Sequence, residues 1–332
     1  MKKDKIFIIA EVGSVHDGSF GNATNLIKVA KECGANAVKF QTHIADEETL
    51  KDALNPTYFK DENRYEYFQR TSFSKDKLIK LKNYARKIGI NFFSSPFSIK
   101  ALNLLVDIGV DYIKIPSGEV NNLPLLEKIS KKNKTIFLST GMSSWKEIDQ
   151  AVNILKNNKL IIMQCTSMYP CPLSKVGVNI FHEFKKRYNL PLGFSDHTEG
   201  NVAAIMALAN GARYFEKHIT LSKRMYGSDA LNSLEPSDFK QYCKDLKEAL
   251  IIQNNPSNKI ISKYLKNMKI IFEKKIVLTK NMKKNSVLTL KNLGFKKTKK
   301  GINANQYKKI IGKKLKKDMK KDSIIESKNL YD

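Results

Sequence analysis

The sequence has little cysteine and no long apolar run. Only four of its 332 residues are cysteines, and no two of them show the Cys-x-x-Cys spacing of a zinc or redox site. Because a large chain with so few thiols is typical of a reducing compartment, we expect a cytoplasmic protein. No apolar stretch approaches the roughly 18 residues of a membrane span. The apolar run 6–10 meets Glu11 too early for a signal peptide, so it predicts a first buried strand.

Acidic residues are also scarce. The 59 lysines and arginines outweigh 32 acids, and residues 256–332 hold 23 lysines against five acids. Such a tail suits a polyanion such as nucleic acid. However, this segment contains no arginine, and its few aromatic residues are not interleaved for base stacking. We therefore interpret the lysines as a compositional bias and expect no nucleic-acid partner. A basic field still suits a small anionic substrate.

Short apolar runs alternate with amphipathic helical patterns from residue 6 onward. Eight βα units over about 250 residues are typical of a TIM barrel, so the sequence predicts an α/β fold of the (β/α)8 type. The apolar runs are at residues 6–10, 37–40, 91–93, 112–115, 135–138, 160–163, 192–194 and 213–215.

The βα alternation stops after a helical pattern at 236–252. A polar break follows, and then come short strand-like pieces at 275–279 and 286–289, with glycines and lysine-rich turns. We predict a barrel domain over residues 1–255, a linker over 256–267 and a small, mainly β domain over 268–332. A domain this small is marginal for folding alone and is expected to dock onto another surface.

Hydrogen-bonding residues follow every one of the eight runs. The carboxyl ends of parallel strands meet at one end of a barrel, where active sites lie. A structural rim does not need such groups at eight consecutive strand ends, so the pattern indicates an enzyme. Examples are Glu11, Lys39 with Gln41, Lys114, and Ser195 with Asp196 and His197.

Two histidines, His197 and His218, each close an apolar run, and a helical segment lies between them. If the two runs are neighbouring parallel strands, both imidazoles leave the same end of the sheet. They could then reach one metal ion, with open positions left for substrate and water. The alternative is a pair of hydrogen-bonded core histidines.

Taken in order, the motifs resemble the sialic acid synthase family, the nonulosonic acid synthases that include N-acetylneuraminate synthase. The resemblance covers essentially the whole chain and implies a C-terminal domain similar to type III antifreeze proteins. It also implies a domain-swapped homodimer in which that domain caps the partner's active site. The matching stretches are residues 9–13, 16–18, 37–42, 94–98, 114–126, 139–142, 165–170, 193–198, 216–220 and 233–236.

The resemblance implies a transferase that condenses phosphoenolpyruvate with an N-acylated amino sugar and water, giving a nine-carbon acid and phosphate. The acceptor would be N-acetylmannosamine, its 6-phosphate, or a di-N-acetylated deoxyhexose leading to legionaminic-type acids. It implies a divalent cation too, Mn²⁺ first, with Mg²⁺ or Co²⁺ as alternatives. A metal on the sugar aldehyde would act as a Lewis acid and align the two reactants.

The implied roles fall on particular positions of this sequence. The metal ligands would be His197 and His218. Phosphoenolpyruvate would be held by Lys39, Ser95, Lys114, Ser117, Ser139, Ser167 and Ser195. The sugar would contact Gln41, Asn63, Tyr169, Asp229 and Lys297. Acid–base chemistry would fall to Glu11, Glu119 and Glu216.

This sequence departs from the family pattern on the acceptor side. Lys297 stands where the family commonly carries the arginine of Arg-Pro-Gly, so the charge stays but the planar fork is lost. Residues 225–230 keep Asp229 while its neighbours differ. The type of reaction therefore follows more firmly from the motifs than the identity of the sugar does.

Two other functions remain open from the sequence. A barrel aldolase would use Lys114 or Lys217 as a Schiff-base nucleophile on pyruvate, without a metal. A degraded barrel with a basic C-terminal domain would bind a polyanion. Of the remaining histidines, His16 is expected to order its loop, and His43 and His182 are expected at the surface.

Overall fold

A computed structural model describes residues 5–56, 59 and 61–331 of the chain. The chain forms two compact units, Met1–Pro256 and Ser257–Asp332. The first unit contains the eight βα repeats, and the second contains the lysine-rich segment.

The first unit is a closed barrel of eight parallel strands, each paired with the next along the chain, with β8 pairing back to β1. The predicted (β/α)8 fold is therefore confirmed. Its strands are β1 (Phe7–Gly13), β2 (Ala37–Thr42), β3 (Asn91–Pro96), β4 (Tyr112–Ile115), β5 (Thr135–Ser139), β6 (Lys159–Cys165), β7 (Leu192–Asp196) and β8 (Tyr214–His218).

Helices cover the outside of the barrel. Several begin at serine caps that satisfy free backbone N–H groups; Ser144 and Glu147 form a reciprocal capping box at one of them. No helix in the described part of the chain is long and apolar enough to cross a membrane. The helices are α1 (Phe20–Glu32), α2 (Ala45–Glu48), α3 (Arg64–Thr71), α4 (Lys75–Lys87), α5 (Ile99–Asp107), α6 (Leu123–Ser130), α7 (Trp145–Leu155), α8 (Ile180–Tyr188), α9 (Val202–Ala209) and α10 (Pro236–Asn254).

Apolar side chains close the amino-terminal half of the barrel interior. Phe137 is fully buried there and lies 5.5 Å from both Phe93 and Tyr214, measured between ring centroids. Alternate residues of each strand point inward, so the next inward layer carries the polar residues. The interior is therefore apolar and packed at the amino-terminal ends of the strands and polar at their carboxyl ends, where barrel active sites lie.

Strand register places the polar residues side by side. Glu11 pairs with Lys39 on one side and with His218 on the other, while Ser195 pairs with Glu216. Polar residues from four strands thus meet at one end of the barrel.

The second unit contains α11 (Lys263–Phe272) and a two-stranded antiparallel sheet of β9 (Lys274–Leu278) and β10 (Leu293–Lys297). Its small core includes Ile276, Leu288 and Leu315. The strand-like piece at 286–289 forms no regular strand, because only an isolated bridge joins Val287 to Lys314. Helix α11 begins within the segment predicted as a linker.

His16 lies in the loop after β1 and is almost fully buried. Its ring stacks on Phe73 with centroids 4.5 Å apart, and its Nδ1 accepts a hydrogen bond of 3.1 Å from the N–H of Gly18. The expectation that His16 orders this loop is therefore confirmed.

Neutral His16 should make folding sensitive to acid. Burial, together with the nearby His43, lowers the pKa of His16 from 6.5 to about 3. Between these values the unfolded chain binds a proton that the folded chain does not. The stabilising contribution of neutral His16 is therefore fully present above pH 6.5. Below that, the free energy of unfolding falls by up to about 1.4 kcal/mol per pH unit as the pH drops toward 3. Urea unfolding at several pH values measures this slope.

His16→Asn should flatten that slope, because the asparagine side chain can still accept from Gly18 but does not titrate. The matched control is His182→Asn on α8, where the histidine is exposed. A wild-type slope in the His16 variant would show that other groups cause the acid sensitivity.

Candidate active site

A cavity of about 460 Å³ opens at the carboxyl ends of the barrel strands. It brings together most of the residues singled out from the sequence, although they come from all parts of the barrel. Those on its wall are Glu11, Lys39, Gln41, Lys114, Ser117, Ser139, Ser167, Tyr169, Ser195, His197, Glu216, His218 and Asp229.

A buried cluster of two lysines and two glutamates forms the floor of the cavity. Lys114 Nζ lies 2.7 Å from Glu216 Oε1, and Lys39 Nζ lies 2.8 Å from Glu11 Oε2. Lys39 also lies 3.7 Å from Glu216, which links the two pairs. All four side chains are at most 6% exposed. The cluster balances its own charges before any ligand enters.

The two carboxylates differ in proton affinity. Burial raises the pKa of Glu11 to about 7, although Lys39 opposes this change. Burial also acts to raise the pKa of Glu216, but Lys114 and Lys39 outweigh it and bring the value to about 2. Glu11 can thus take up or release a proton near neutral pH, whereas Glu216 stays ionised.

Hydroxyl groups surround the ammonium groups. Lys39 Nζ donates to Ser95 Oγ at 3.2 Å, and Ser195 Oγ donates to Glu216 Oε1 at 3.2 Å. Ser139 Oγ is buried and has no hydrogen-bond partner among the described residues. Two cations with nearby hydroxyls match the needs of a phosphate and a carboxylate on one small molecule.

Asp229 reaches the cavity from the long loop after β8 and packs against Gly13. Gly13 has a φ of +55°, and a Cβ built on it would lie 2.3 Å from Asp229 Oδ2. The glycine is therefore needed both for the left-handed backbone and for the close approach of the carboxylate.

Gly13→Ala should displace Asp229. If Asp229 contacts the substrate, turnover should fall about 100-fold, since misplacing such a group by an ångström has effects of that size. Steady-state kinetics of the condensation proposed below measures it. Gly200→Ala is the matched control, because its Cβ would meet nothing within 4 Å and no left-handed backbone is involved. Equal activity in both variants would contradict a role for the Asp229 position.

The ring centroids of His197 and His218 lie 5.6 Å apart, and both imidazoles face the cavity. His197 Nδ1 lies 2.9 Å from the Thr166 carbonyl oxygen, so a proton on Nδ1 leaves Nε2 with a free lone pair. His218 Nδ1 is buried without a hydrogen-bond partner in the described chain. Burial lowers the pKa of His218 to about 4, so its ring is neutral.

These observations fit a divalent metal ion. The neutral His218 ring is a good ligand for Mn²⁺ and related ions. Burial acts to lower the pKa of His197, but the nearby Cys165 sulfur outweighs it and raises the value, so a metal ion on His197 would displace a proton. Across the described residues, no group of three or more histidine, cysteine or carboxylate side chains is arranged as a metal cage. Two protein ligands would leave the other positions to water and substrate, as in a catalytic site.

Three predicted residues of the first unit do not line the cavity. Ser95 Oγ is buried and accepts a hydrogen bond of 3.2 Å from Lys39, and Glu119 accepts a hydrogen bond of 2.7 Å from Asn122. The Asn63 amide caps α3, where it accepts from the N–H of Tyr65 at 2.9 Å, so helix capping accounts for this residue. Lys297 belongs to the second unit, with its Nζ 4.9 Å from the centroid of the Phe272 ring.

Several cavity residues were not predicted, among them Cys165, Arg64 and His43. Cys165 ends β6, with its Sγ 3.9 Å from His197 Nδ1, and Arg64 lies at the start of α3 on the cavity wall. No local pattern marks Arg64. His43, expected at the surface, is only 6% exposed and lines the cavity, so that expectation was wrong. The alternation of Lys39, Gln41 and His43 along one face of β2 could have indicated it.

The chain resembles known synthases over nearly its full length. It is 35% identical over 331 residues to N,N'-diacetyllegionaminic acid synthase of Campylobacter jejuni, covering 97% of this chain and 99% of that protein. It is 34% identical over 262 residues to human N-acetylneuraminate-9-phosphate synthase, covering 77% and 73% of the two chains.

The structure leads to the same group of proteins. The crystal structure of N-acetylneuraminic acid synthetase from Leptospira borgpetersenii matches with a TM-score of 0.71 and 29% identity, covering 80% of this chain and 91% of that one. The model of the NeuB family matches residues 26–257, which is most of the barrel. The chain therefore belongs to the NeuB family.

Proposed function

We propose that this protein is a nonulosonic acid synthase that condenses phosphoenolpyruvate with an N-acylated amino sugar and water, releasing phosphate. The observation that carries the proposal is the joining of the buried Lys39 and Lys114 ammonium groups with the His197–His218 pair in one cavity. The names of the relatives in the NeuB family support a synthase of this class.

Phosphoenolpyruvate would bind above the two lysines. Its phosphate and carboxylate bring negative charges that Lys39 and Lys114 can pair with, and Ser117, Ser139 and Ser195 can donate hydrogen bonds. Glu216 holds Lys114 in place through the 2.7 Å contact. Because the site is buried, these interactions are stronger than they would be in water.

The amino sugar would bind beside Gln41, Tyr169 and Asp229. Its open-chain aldehyde carbon must meet C3 of the enol phosphate, and the aldehyde oxygen gains a proton as the new bond forms. Glu11, with a pKa of about 7, can carry that proton or accept one from the water that adds at C2. When bound, a divalent cation on His197 and His218 would polarise the aldehyde oxygen as a Lewis acid.

The test is phosphate release from phosphoenolpyruvate with Mn²⁺ across a panel of acceptors. The panel contains N-acetylmannosamine, its 6-phosphate and a di-N-acetylated deoxyhexose, each with and without chelator. Release that requires both one sugar and the metal would support the proposal and name the acceptor. If folded protein released no phosphate with any sugar of the panel, the result would count against the proposal.

A Schiff-base aldolase is the second candidate, because burial lowers the pKa of Lys114 and so favours the neutral amine that such an enzyme needs. Lys217 is not available for this role. Its Nζ contacts Asp196 at 3.2 Å and the Thr198 carbonyl, and it does not line the cavity. Borohydride trapping of pyruvate on Lys114 without metal would favour the aldolase.

We also propose, from the resemblance, that the second unit is an antifreeze-like domain and that two copies of the chain form a domain-swapped dimer in the cytoplasm. Lys297 would then contact the sugar bound to the partner. Sedimentation of the full chain gives the oligomeric state, and Lys297→Met should raise the KM for the acceptor alone if this arrangement holds.

A further inference from the structure

His43 is held rigidly at the edge of the cavity. It follows β2 directly, and its ring lies between those of Phe68 and Phe97, with centroid distances of 3.7 Å and 4.2 Å. The interplanar angles are 6° and 21°, so both aromatic rings stack on the imidazole. Packing on both faces fixes the plane of the imidazole and leaves its two nitrogens to point along the protein interior.

A chain of hydrogen bonds runs through this ring to the charged cluster. Glu48 Oε1 lies 2.5 Å from His43 Nδ1, and His43 Nε2 lies 3.1 Å from Gln41 Oε1. Gln41 Nε2 then donates to Glu11 Oε1 at 3.1 Å. The side chains of His43 and Glu48 are only 4% and 5% exposed, so water competes little for these bonds.

Counting protons fixes the direction of every bond. In its ionised form, with Lys39 Nζ 2.8 Å from Oε2, the Glu11 carboxylate can only accept, so the nitrogen of the Gln41 amide must face it and the amide oxygen must face His43. His43 Nε2 must therefore carry a proton. The short contact with Glu48 needs a proton between its two atoms as well. If the amide were turned over, its oxygen would face a carboxylate and its NH₂ would face an N–H.

We propose that His43, anchored by Glu48, is a positioning residue that locks the Gln41 amide with its NH₂ toward Glu11 and toward the acceptor. No other described residue accepts the second N–H of that amide, and Gln41 lines the cavity. This N–H is thus left for a carbonyl or hydroxyl oxygen of the sugar. The inference rests on the proposed function in one respect, that the ligand beside Gln41 is the acceptor.

The first test does not depend on turnover. Nitrogen-15 spectra of the histidine rings in the wild-type chain should show a proton on Nε2 of His43, with signals assigned by their loss in His43→Phe. Glu48→Gln should keep that proton, because a glutamine NH₂ can donate to Nδ1. A His43 ring protonated at Nδ1 alone would overturn the proposal, whether or not the protein is active.

The second test compares two variants that differ only at His43. Glu48→Gln should keep the KM for the acceptor within about threefold of wild type, since the bond to Gln41 survives. His43→Phe/Glu48→Gln keeps the aromatic stack and buries no unpaired charge, but it removes the donor to Gln41. The KM for the acceptor should then rise about tenfold or more, with the KM for phosphoenolpyruvate nearly unchanged.

The outcomes separate the explanations. Equal increases in the KM values for acceptor and phosphoenolpyruvate in His43→Phe/Glu48→Gln would show a structural role and overturn the proposal. So would a lowered melting temperature accompanied by an equal rise in the acceptor KM in Glu48→Gln alone. His182→Phe on the exposed face of α8 is the matched control for the substitution itself. If the wild-type protein shows the Nε2 proton but turns over no acceptor, the proposed function is contradicted. The inference that His43 fixes the orientation of the Gln41 amide would then still stand.

Discussion

Lys114→Met should lower the free energy of unfolding by about 3–5 kcal/mol, because it leaves the Glu216 carboxylate buried without its main partner. The ammonium of Lys114 lies 2.7 Å from Glu216 Oε1, whereas Lys39 lies 3.7 Å away and already pairs with Glu11. The same change should lower phosphate release by about two to three orders of magnitude, because it removes a cation from the proposed phosphoenolpyruvate site. Urea unfolding and steady-state kinetics measure the two effects separately.

The double variant Lys114→Met/Glu216→Gln separates stability from function. It removes both charges and keeps a polar group beside Ser195, so most of the lost stability should return, to within about 1–2 kcal/mol of wild type. Turnover should remain as low as in the single variant. Wild-type stability in Lys114→Met would contradict the buried ion pair, and recovered turnover in the double variant would contradict the substrate role of Lys114.

His218→Ala should lower phosphate release about a thousandfold, if the metal supplies several kcal/mol of stabilisation to the developing charge. The affinity for Mn²⁺, measured by calorimetry without substrate, should fall by more than the roughly 10–100-fold seen when groups that merely orient ligands are lost. His218 Nδ1 is buried and unpartnered in the described chain, so its removal breaks no protein hydrogen bond at that atom.

His182→Ala on α8 serves as the control, because it removes an exposed imidazole that does not line the cavity. Chelation of the wild-type protein should reproduce the His218→Ala phenotype, and added Mn²⁺ should restore only the wild type. Unchanged Mn²⁺ affinity in His218→Ala would show that this histidine is not a ligand, even if turnover fell.

The predicted strands lie where the structure has them, and most errors occur at the carboxyl ends. The run 112–115 matches β4 in full, but 192–194 ends before Ser195 and Asp196 of β7. The last strand was placed at 213–215, whereas β8 continues to His218. Hydrophobic patterns stop at the first polar side chain, while the ladder hydrogen bonds of the backbone continue past it. These missed ends are the positions that carry the site.

The sequence predicted which residues make up the candidate site better than it predicted which of them are in contact. Both lysines, both cluster glutamates and both histidines were named from strand ends and from the resemblance. The sequence analysis missed the burial of His43, because its alternation with Lys39 and Gln41 indicates the face on which it lies but not what covers it. Its burial depends on Phe68 and Phe97, which lie 25 and 54 residues further along the chain. The sequence also proposed Asn63 for the sugar, although its amide caps α3.

The sequence by itself determined the order of eight βα units and the polar residues at their strand ends, because both depend on patterns within a few residues. Tertiary structure alone decided which of those residues pair. Lys114 and Glu216 are 102 positions apart, and only closure of the barrel brings them to 2.7 Å. It also decided proton affinities, since burial raises the pKa of Glu11 while two lysines lower that of Glu216. Those effects depend on solvent exclusion and distance, which no local pattern encodes.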